Sequence, residues 1–533
     1  MFNKVTRAIL IYLVFTMAVP VSAIPRNSPN GATVKHQTDS VKDPALQAII
    51  DGVFELYQFL RNDIGVYADA ARFGGEQFHP CSIASVGMGL VSLCIADTLQ
   101  LDDNAENMAL QTLQAMSGNA AGFMPARNAV NGFFRHWINK ETGQREWNSE
   151  YSSIDTGILV CGALFCKMYF NDNKEIARLA DALYLSVDWN AAMANAGSGE
   201  IYMTFNENGR GELKTRPFNE YMIVAWLATN DPRADVRTKQ LWKNHYESAS
   251  SPPTSTYEGI RLLTDAPGQF LSNFVLQFPH YLCHYFTTRP DYQNFYRNAQ
   301  TADRLWWSDK TEFDYIWGTG AGASGFVGSG YHADNFNNNP GTVCSPHIIA
   351  GFSPIDSSAI NNLVNLWQNN LGVYTVPNST KKFLWRFSLN DKSWRADDVQ
   401  GVDISTLLFG IAAYPSILGP DFFSIHNNFD FPDSTLIKKK SDPIGFDHRL
   451  NVKIYPNPFN TSATIRYTLH HSAHVNIDLY DIRGQFITSI LRAEQNAGVY
   501  DYIFEGTNLS SGLYVAQVRA GDLVAFARLH LVK

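Results

Sequence analysis

The sequence predicts a mainly α-helical domain built as a two-ring toroid, an (α/α) barrel, followed by a small all-β sandwich. Two observations carry this reading. Between residues 45 and 430 apolar residues recur at helical spacing, in runs that are apolar either all round or along one face. From residue 450 onward they alternate with period two between glycine-containing turns.

Taken in order, residues 1–23 have the three parts of a secretory signal. Lys4 and Arg7 give a positive start, and Ala8 to Val19 an apolar run broken by Tyr12 and Thr16. Val21-Ser22-Ala23 supplies a small-residue cleavage site. Residues 24–44 read as a linker into the helical domain, 45–430. There, Ser82–Asp97, Ile154–Phe170, Tyr221–Thr229 and Ile404–Tyr414 are apolar nearly all round, so each needs protein on every side. Ile176, Leu179, Ala180, Leu183 and Val187 mark one face only, as do Ile360, Leu363, Val364 and Trp367; such helices cover the first kind from outside. That alternation gives inner and outer rings. No repeat of the length found in solenoids is visible, which disfavours an open array.

Residues 431–449, with Lys438-Lys439-Lys440 and Pro443, read as a polar linker. Residues 450–533 then run through Val452-Lys453-Ile454-Tyr455, Ala463 to Tyr467 and Val475 to Tyr480 as strands. Arg483-Gly484, Asn496-Ala497-Gly498, Ser511-Gly512 and Ala520-Gly521-Asp522 mark turns, as a small sandwich requires.

Composition narrows the function. The 533 residues include 42 basic and 50 acidic side chains, a net charge of −8, which argues against a nucleic-acid partner. Hydrophobic residues at 45% supply a large core and exclude a disordered chain. Charged residues are 17% and aromatics 13%, a balance suited to an exported protein facing sugars or peptides, and equally to a large core. Beyond the signal, no stretch reaches about 18 consecutive apolar residues, so no membrane span is expected in the mature protein. Six cysteines have core-like neighbours and form no C-x-x-C pair, so neither a zinc site nor another cofactor is expected.

Acidic residues stand where the inner helices begin. Glu150 and Asp155 precede or open Ile154–Phe170, Glu220 opens Tyr221–Thr229, and Asp403 opens Ile404–Tyr414. Inner helices of a toroid run roughly parallel, so these carboxylates converge at one end of the cavity. Paired carboxylates are what glycoside hydrolysis needs: one protonates the departing oxygen, the other activates water or attacks carbon. The same residues also complement helix dipoles. Because a helix N-terminus lowers a carboxyl pKa, a general acid placed there must be desolvated or lie beside a second carboxylate. Gly318, Gly320, Gly322, Gly325, Gly328 and Gly330 lack a following G-K-[ST], so a flexible loop over the cavity is expected rather than a phosphate cradle. No G-x-S-x-G elbow occurs. His280, His284, His332 and His347 fit no standard metal spacing, which leaves sugar-contacting or core roles.

Two resemblances follow from quoted residues. Tyr455-Pro456-Asn457-Pro458-Phe459-Asn460, Tyr480-Asp481-Ile482-Arg483-Gly484 and Ser511-Gly512-Leu513-Tyr514-Val515 resemble the C-terminal sorting domain of type IX secretion cargo. That likeness implies handling by the type IX secretion machinery through residues 450–533, passage across an outer membrane, and a secreted or cell-surface location. Glu150-Tyr151-Ser152-Ser153-Ile154-Asp155-Thr156-Gly157, Ala180 to Tyr184, Val187-Asp188-Trp189 and Asn219-Glu220-Tyr221-Met222 resemble the glycoamylase-like domain family. Ser82 to Gly87, Tyr292 to Arg304, Trp317-Gly318, Gly330-Tyr331 and Gly341-Thr342-Val343 continue the match in order.

The second resemblance implies an (α/α)6 toroid and an inverting hydrolase acting on a glucan polysaccharide or oligosaccharide, in the manner of an endo-β-1,2-glucanase. It implies Glu220 as general acid, with Glu150 and Asp155 lining the catalytic subsite. Asp403 is the candidate base, and Trp317, Tyr331, His280 and Arg304 are candidate substrate contacts beside Asp155. The chain departs from the family pattern with Ile404-Ser405-Thr406 for Gln-Gly-Pro, His284 for Asp, Pro340 for Asp and His347 for Thr. Those departures keep two alternatives open: a non-catalytic surface protein that binds glycans, and a transglycosylase on the same scaffold.

Overall fold

Asp43 starts the helical domain. Its carboxylate accepts hydrogen bonds from the backbone N–H groups of Ala45 (2.8 Å) and Leu46 (3.3 Å), while Pro44 fills a first-turn position that needs no N–H. The structure is a computed structural model and describes residues 43–433, 450, 452–469, 473–496, 498–521 and 523–533. The expected signal at 1–23, most of the linker at 24–44 and residues 434–449 of the second linker lie outside the described residues.

In chain order the helices are α1 (Pro44–Leu60), α2 (Ile83–Thr98), α3 (Ala105–Met116), α4 (Ser153–Tyr169), α5 (Lys174–Leu185), α6 (Met222–Asn230), α7 (Val236–His245), α8 (Phe274–Leu282), α9 (His284–Thr288), α10 (Pro290–Ser308), α11 (Pro346–Gly351), α12 (Ser358–Gln368), α13 (Ser405–Ala412) and α14 (Pro420–His426). Six of them, α2, α4, α6, α8, α11 and α13, are buried on almost every side. Helices α1, α3, α5, α7, α10 and α12 bury one face. In α10 that face is Tyr292, Tyr296, Ala299, Asp303 and Trp306, at helical spacing.

Each buried helix packs on the next in chain order, and α13 packs back on α2, so the six contact one another in a cycle. Glycine permits the closest of these contacts. A Cβ on Gly87 of α2 would lie 2.4 Å from the Ile158 carbonyl oxygen of α4, and one on Gly410 of α13 would lie 2.0 Å from that of Ala350 in α11. The four runs expected to be apolar all round fall on α2, α4, α6 and α13, with ends shifted by one or two residues.

The Gly318–Gly330 stretch corrects the expectation of a flexible loop. Ala321–Ala323 pairs antiparallel with Tyr331–Ala333, and residues 316–324 are buried. The turn and the strand Tyr331–Ala333 face solvent, whereas Gly318, Gly320 and Gly322 pack closely against neighbouring side chains and backbone.

From residue 452 the chain is strand-rich. Val452–Tyr455, Ser462–Leu469 and Gly498–Glu505 form one sheet in that order, and Phe486–Gln495, Ala473–Asp481, Gly512–Ala520 and Leu523–Leu531 form another. Ile465 and Tyr467 of the first sheet share a core with Val475, Ile477, Leu479, Val518 and Leu529 of the second. This core is separate from the helical one. All six cysteines are free and buried in the helical domain.

Candidate active site

Three buried helices carry carboxylates at their starts. Ser152 caps α4: its hydroxyl oxygen accepts from the Asp155 N–H (3.3 Å) and its O–H donates to Asp155 Oδ2. Glu150 comes just before the Tyr151–Ser152 strand, which pairs with Thr204–Phe205. Glu220 and Asp403 each lie two residues ahead of a helix, α6 and α13.

The turn that delivers Glu220 is strained. Phe218 has φ +71° while fully buried, a left-handed conformation costing about 1–3 kcal/mol in a non-glycine residue. Asn219 Oδ1 accepts from the Tyr221 N–H (3.0 Å) and fixes the exit into α6. Glu220 itself is half-buried. Loss of hydration pushes its carboxyl up to about 7, and the charges of Asp155 and Asp265 add to the rise.

Beside it lies a group that spacing did not reveal. His136 donates its backbone N–H to the Glu150 carbonyl oxygen (2.9 Å), which brings the imidazole next to the Glu150 side chain. Nδ1 is 3.0 Å from Glu150 Oε1, and Nε2 is 3.6 Å from Asp155 Oδ1. The ring stacks on Trp137 at 3.7 Å, and the Trp137 indole N–H donates to Asp69 Oδ1 (3.1 Å). Burial of the imidazole opposes its charge, but Asp155, Glu150 and Asp69 outweigh that and raise it to about 9. Burial likewise acts to raise the Glu150 carboxyl, and His136 outweighs it, holding the group below its ordinary value. Trp147, exposed and at φ +50°, sets its ring edge-on to Trp137 at 5.3 Å.

Asp403 is buried, and its Oδ2 has no hydrogen-bond partner among the described residues. Burial pushes the carboxyl up to about 7, against the pull of Arg386 and of the Tyr331 hydroxyl, which donates to Oδ1 at 3.4 Å. Arg386 is fully buried, donates to the Ala323 carbonyl (2.8 Å) and pairs with Asp334, so it ties the glycine-rich hairpin into this wall. The Gly401 N–H donates to the Asp69 carbonyl (2.8 Å), joining the approach to α13 with the Asp69 segment. The charges of Asp403 and Glu220 both bear on the Tyr331 hydroxyl, and that of Asp155 on Glu220. Glu150, Asp155, Glu220, Asp403 and Tyr331 thus fall in one electrostatic group, with His136 and Asp69 added to it.

Trp317, His280 and Arg304 stand outside that group and make their contacts elsewhere in the protein. Trp317 is buried, with its indole N–H on Asn362 Oδ1 (2.8 Å) and the Arg304 guanidinium over its ring at 4.4 Å. Arg304 is also paired with Asp356 at 2.8 Å. His280 stacks on Tyr296 at 4.3 Å and meets Gln293 through Nδ1, and burial lowers its pKa to about 3. The Trp317 indole N–H, the Arg304 guanidinium and His280 Nδ1 thus have partners within the protein. His347 is buried against Trp385, a core role. Among the described residues no cluster of three or more His, Cys, Asp or Glu side chains could hold a metal ion.

Residues 453–531 match the secretion system C-terminal sorting domain. Among solved structures, the chain is similar to a candidate glucoamylase from Bacteroides uniformis, with a TM-score of 0.61 and 15% identity over 74% of this chain and 96% of that one. It is also similar to an endo-β-1,2-glucanase from Chitinophaga pinensis in complex with sophorotriose and glucose (TM-score 0.58, 16% identity, 72% and 96%). A β-1,2-glucanase from Parabacteroides distasonis is a third (TM-score 0.56, 14% identity, 72% and 59%). A comparison with curated protein sequences gave no match. At such identities the likeness is one of fold, and function must be argued from the site. No helix among the described residues is long and apolar enough to cross a membrane.

Proposed function

We propose that the chain is an exported glycoside hydrolase that cuts a glucan internally with inversion, acting as an endo-β-1,2-glucanase. In this reading residues 45–430 form an (α/α)6 toroid, for which the cyclic contacts of the six buried helices argue. The observation that carries it is the pair of carboxyls at the starts of α6 and α13. Glu220 and Asp403 are both raised to about 7 and both act on one tyrosine hydroxyl, beside an ionised Glu150.

Glu220, protonated, gives its proton to the glycosidic oxygen as the bond to the anomeric carbon breaks. Asp403, ionised, takes a proton from the water that attacks the opposite face of the sugar, and the product anomer is inverted. Tyr331 donates to the carboxylate form of Asp403 and favours it. Glu150, held in its charged form by His136, accepts hydrogen bonds from sugar hydroxyls, and Asp155 lines the subsite beside it. The Trp147 face offers an apolar platform for a pyranose ring. The resemblance of the site segments and the β-1,2-glucanases among the structural relatives favour that linkage. The sorting region at 453–531 and the signal-like start favour export through the type IX machinery to the surface or beyond.

Ile404-Ser405-Thr406 after Asp403 favours a second reading, a glycan-binding protein without turnover. Incubation with β-1,2-, β-1,3-, β-1,4- and α-linked glucans, followed by assay for new reducing ends, separates the two. Cleavage of β-1,2-glucan supports the enzyme. Binding without cleavage of any glucan supports the binder. NMR of the first product anomer then tests inversion: retained configuration would make a carboxylate nucleophile the better account.

A further inference from the structure

We propose that His136 is a positioning residue that leaves Glu220 as the acid by bridging Glu150 and Asp155 through its two ring nitrogens and holding Glu150 in its charged form. The inference rests on the hydrolase reading for its kinetic consequence, but its structural half stands apart from it. The ring stacks at 3.7 Å on Trp137, which is itself anchored to Asp69. In that pose Nδ1 faces Glu150 Oε1 at 3.0 Å and Nε2 faces Asp155 Oδ1 at 3.6 Å. An unprotonated ring nitrogen would set a lone pair against a carboxylate oxygen. Two nitrogens facing two carboxyl groups therefore favour the doubly protonated imidazolium.

The charged groups around the ring are Glu150 and Asp155 at the start of α4, and Asp69 through Trp137. Arg135 lies near Glu150, with its own guanidinium paired to Glu207 and bonded to the Ser149 carbonyl. One imidazolium thus serves two carboxylates and leaves one net negative charge facing Glu220. Removing it unbalances the pair. Glu150 then holds its proton to higher pH, and Glu220, facing more negative charge, gives up its own proton at higher pH. The alkaline limb of the pH–rate profile, which Glu220 sets, must therefore move to higher pH, while the acid limb, which Asp403 sets, stays. A residue that merely fills space would lower the profile without moving it.

The test has two arms. In His136→Asn, whose amide can still donate to Glu150 but carries no charge, the alkaline limb of kcat/KM on the cleaved glucan should move to higher pH with the acid limb in place. Circular dichroism and the melting temperature check that the variant is folded. The second arm uses the wild-type chain and does not depend on turnover or on the variant. With 13C-labelled histidine, the ring resonance of His136, assigned by its loss in His136→Asn or by contacts to Trp137, should stay that of an imidazolium through about pH 8, well above the usual value of about 6.5. Titration of that resonance near the usual value, or a folded His136→Asn enzyme with an unmoved alkaline limb, would overturn the proposal. Wild-type chain that cleaves no glucan would remove the hydrolase reading and leave the resonance to decide whether the lock exists.

Discussion

The Tyr331 hydroxyl donates to Asp403 Oδ1 at 3.4 Å, although the two residues are 72 positions apart and Tyr331 begins the exposed side of the glycine-rich hairpin. The hairpin therefore acts on the buried carboxyl directly. Because that hydrogen bond stabilises the charged form, Tyr331→Phe should raise the Asp403 pKa above its present value of about 7. The acid limb of the kcat/KM profile should move to higher pH, with turnover at neutral pH falling roughly 10- to 100-fold, the worth of a hydrogen bond to a charged group. The wild-type profile should be a narrow bell centred near neutrality, since the base must ionise and the acid stay protonated in one range. An unmoved acid limb in Tyr331→Phe would separate the hydroxyl from the base.

Asp403 should trade stability for chemistry. Its carboxyl is raised in the folded state, so the unfolded chain loses the proton first, and stability contributed by the protonated form is lost as pH rises from about 4 through about 7. Asp403→Asn removes that loss. The variant should be inactive yet melt higher than wild type at about pH 8, with the gain much smaller at about pH 4. Equal shifts at both pH values, measured by differential scanning calorimetry, would contradict a titrating origin.

Two hydrophobic cores, one helical and one in the strand-rich region, predict separable parts. A chain of residues 24–449 should fold and keep its activity, and the full chain lacking 450–533 should stop short of the cell surface in its host. Solubility and glucan cleavage of the short chain check the first point, and cell fractionation the second. An insoluble 24–449 chain would move the boundary.

Much of this architecture is legible in the sequence, and the gaps have physical causes. Helices α2, α4, α6 and α13 announce themselves because apolar residues surround them. Helix α8 hides behind Pro279, and α11 has only six residues, too few for a period to be seen. Glu150, Asp155, Glu220 and Asp403 were readable because a carboxylate before an apolar run is conspicuous. His136 and Asp69 were not: the strand after His136, Trp137–Ile138, is two residues long and pairs with Cys81–Ser82, a partner no local pattern identifies. Trp317 and His280 look like sugar contacts in a string of letters. Only packing reveals that the Trp317 indole N–H meets Asn362 and that the His280 ring stacks on Tyr296.

Turnover by Glu220→Gln on the cleaved glucan tests the assignment most directly. Glutamine keeps the shape and the strained turn from Phe218 into α6, but has no transferable proton. The account predicts a fall in kcat of about 10²–10⁴-fold, the usual worth of general acid catalysis, with glucan binding and melting temperature retained. Near wild-type kcat in a variant of normal melting temperature would contradict it and send the acid role to another carboxyl of the group.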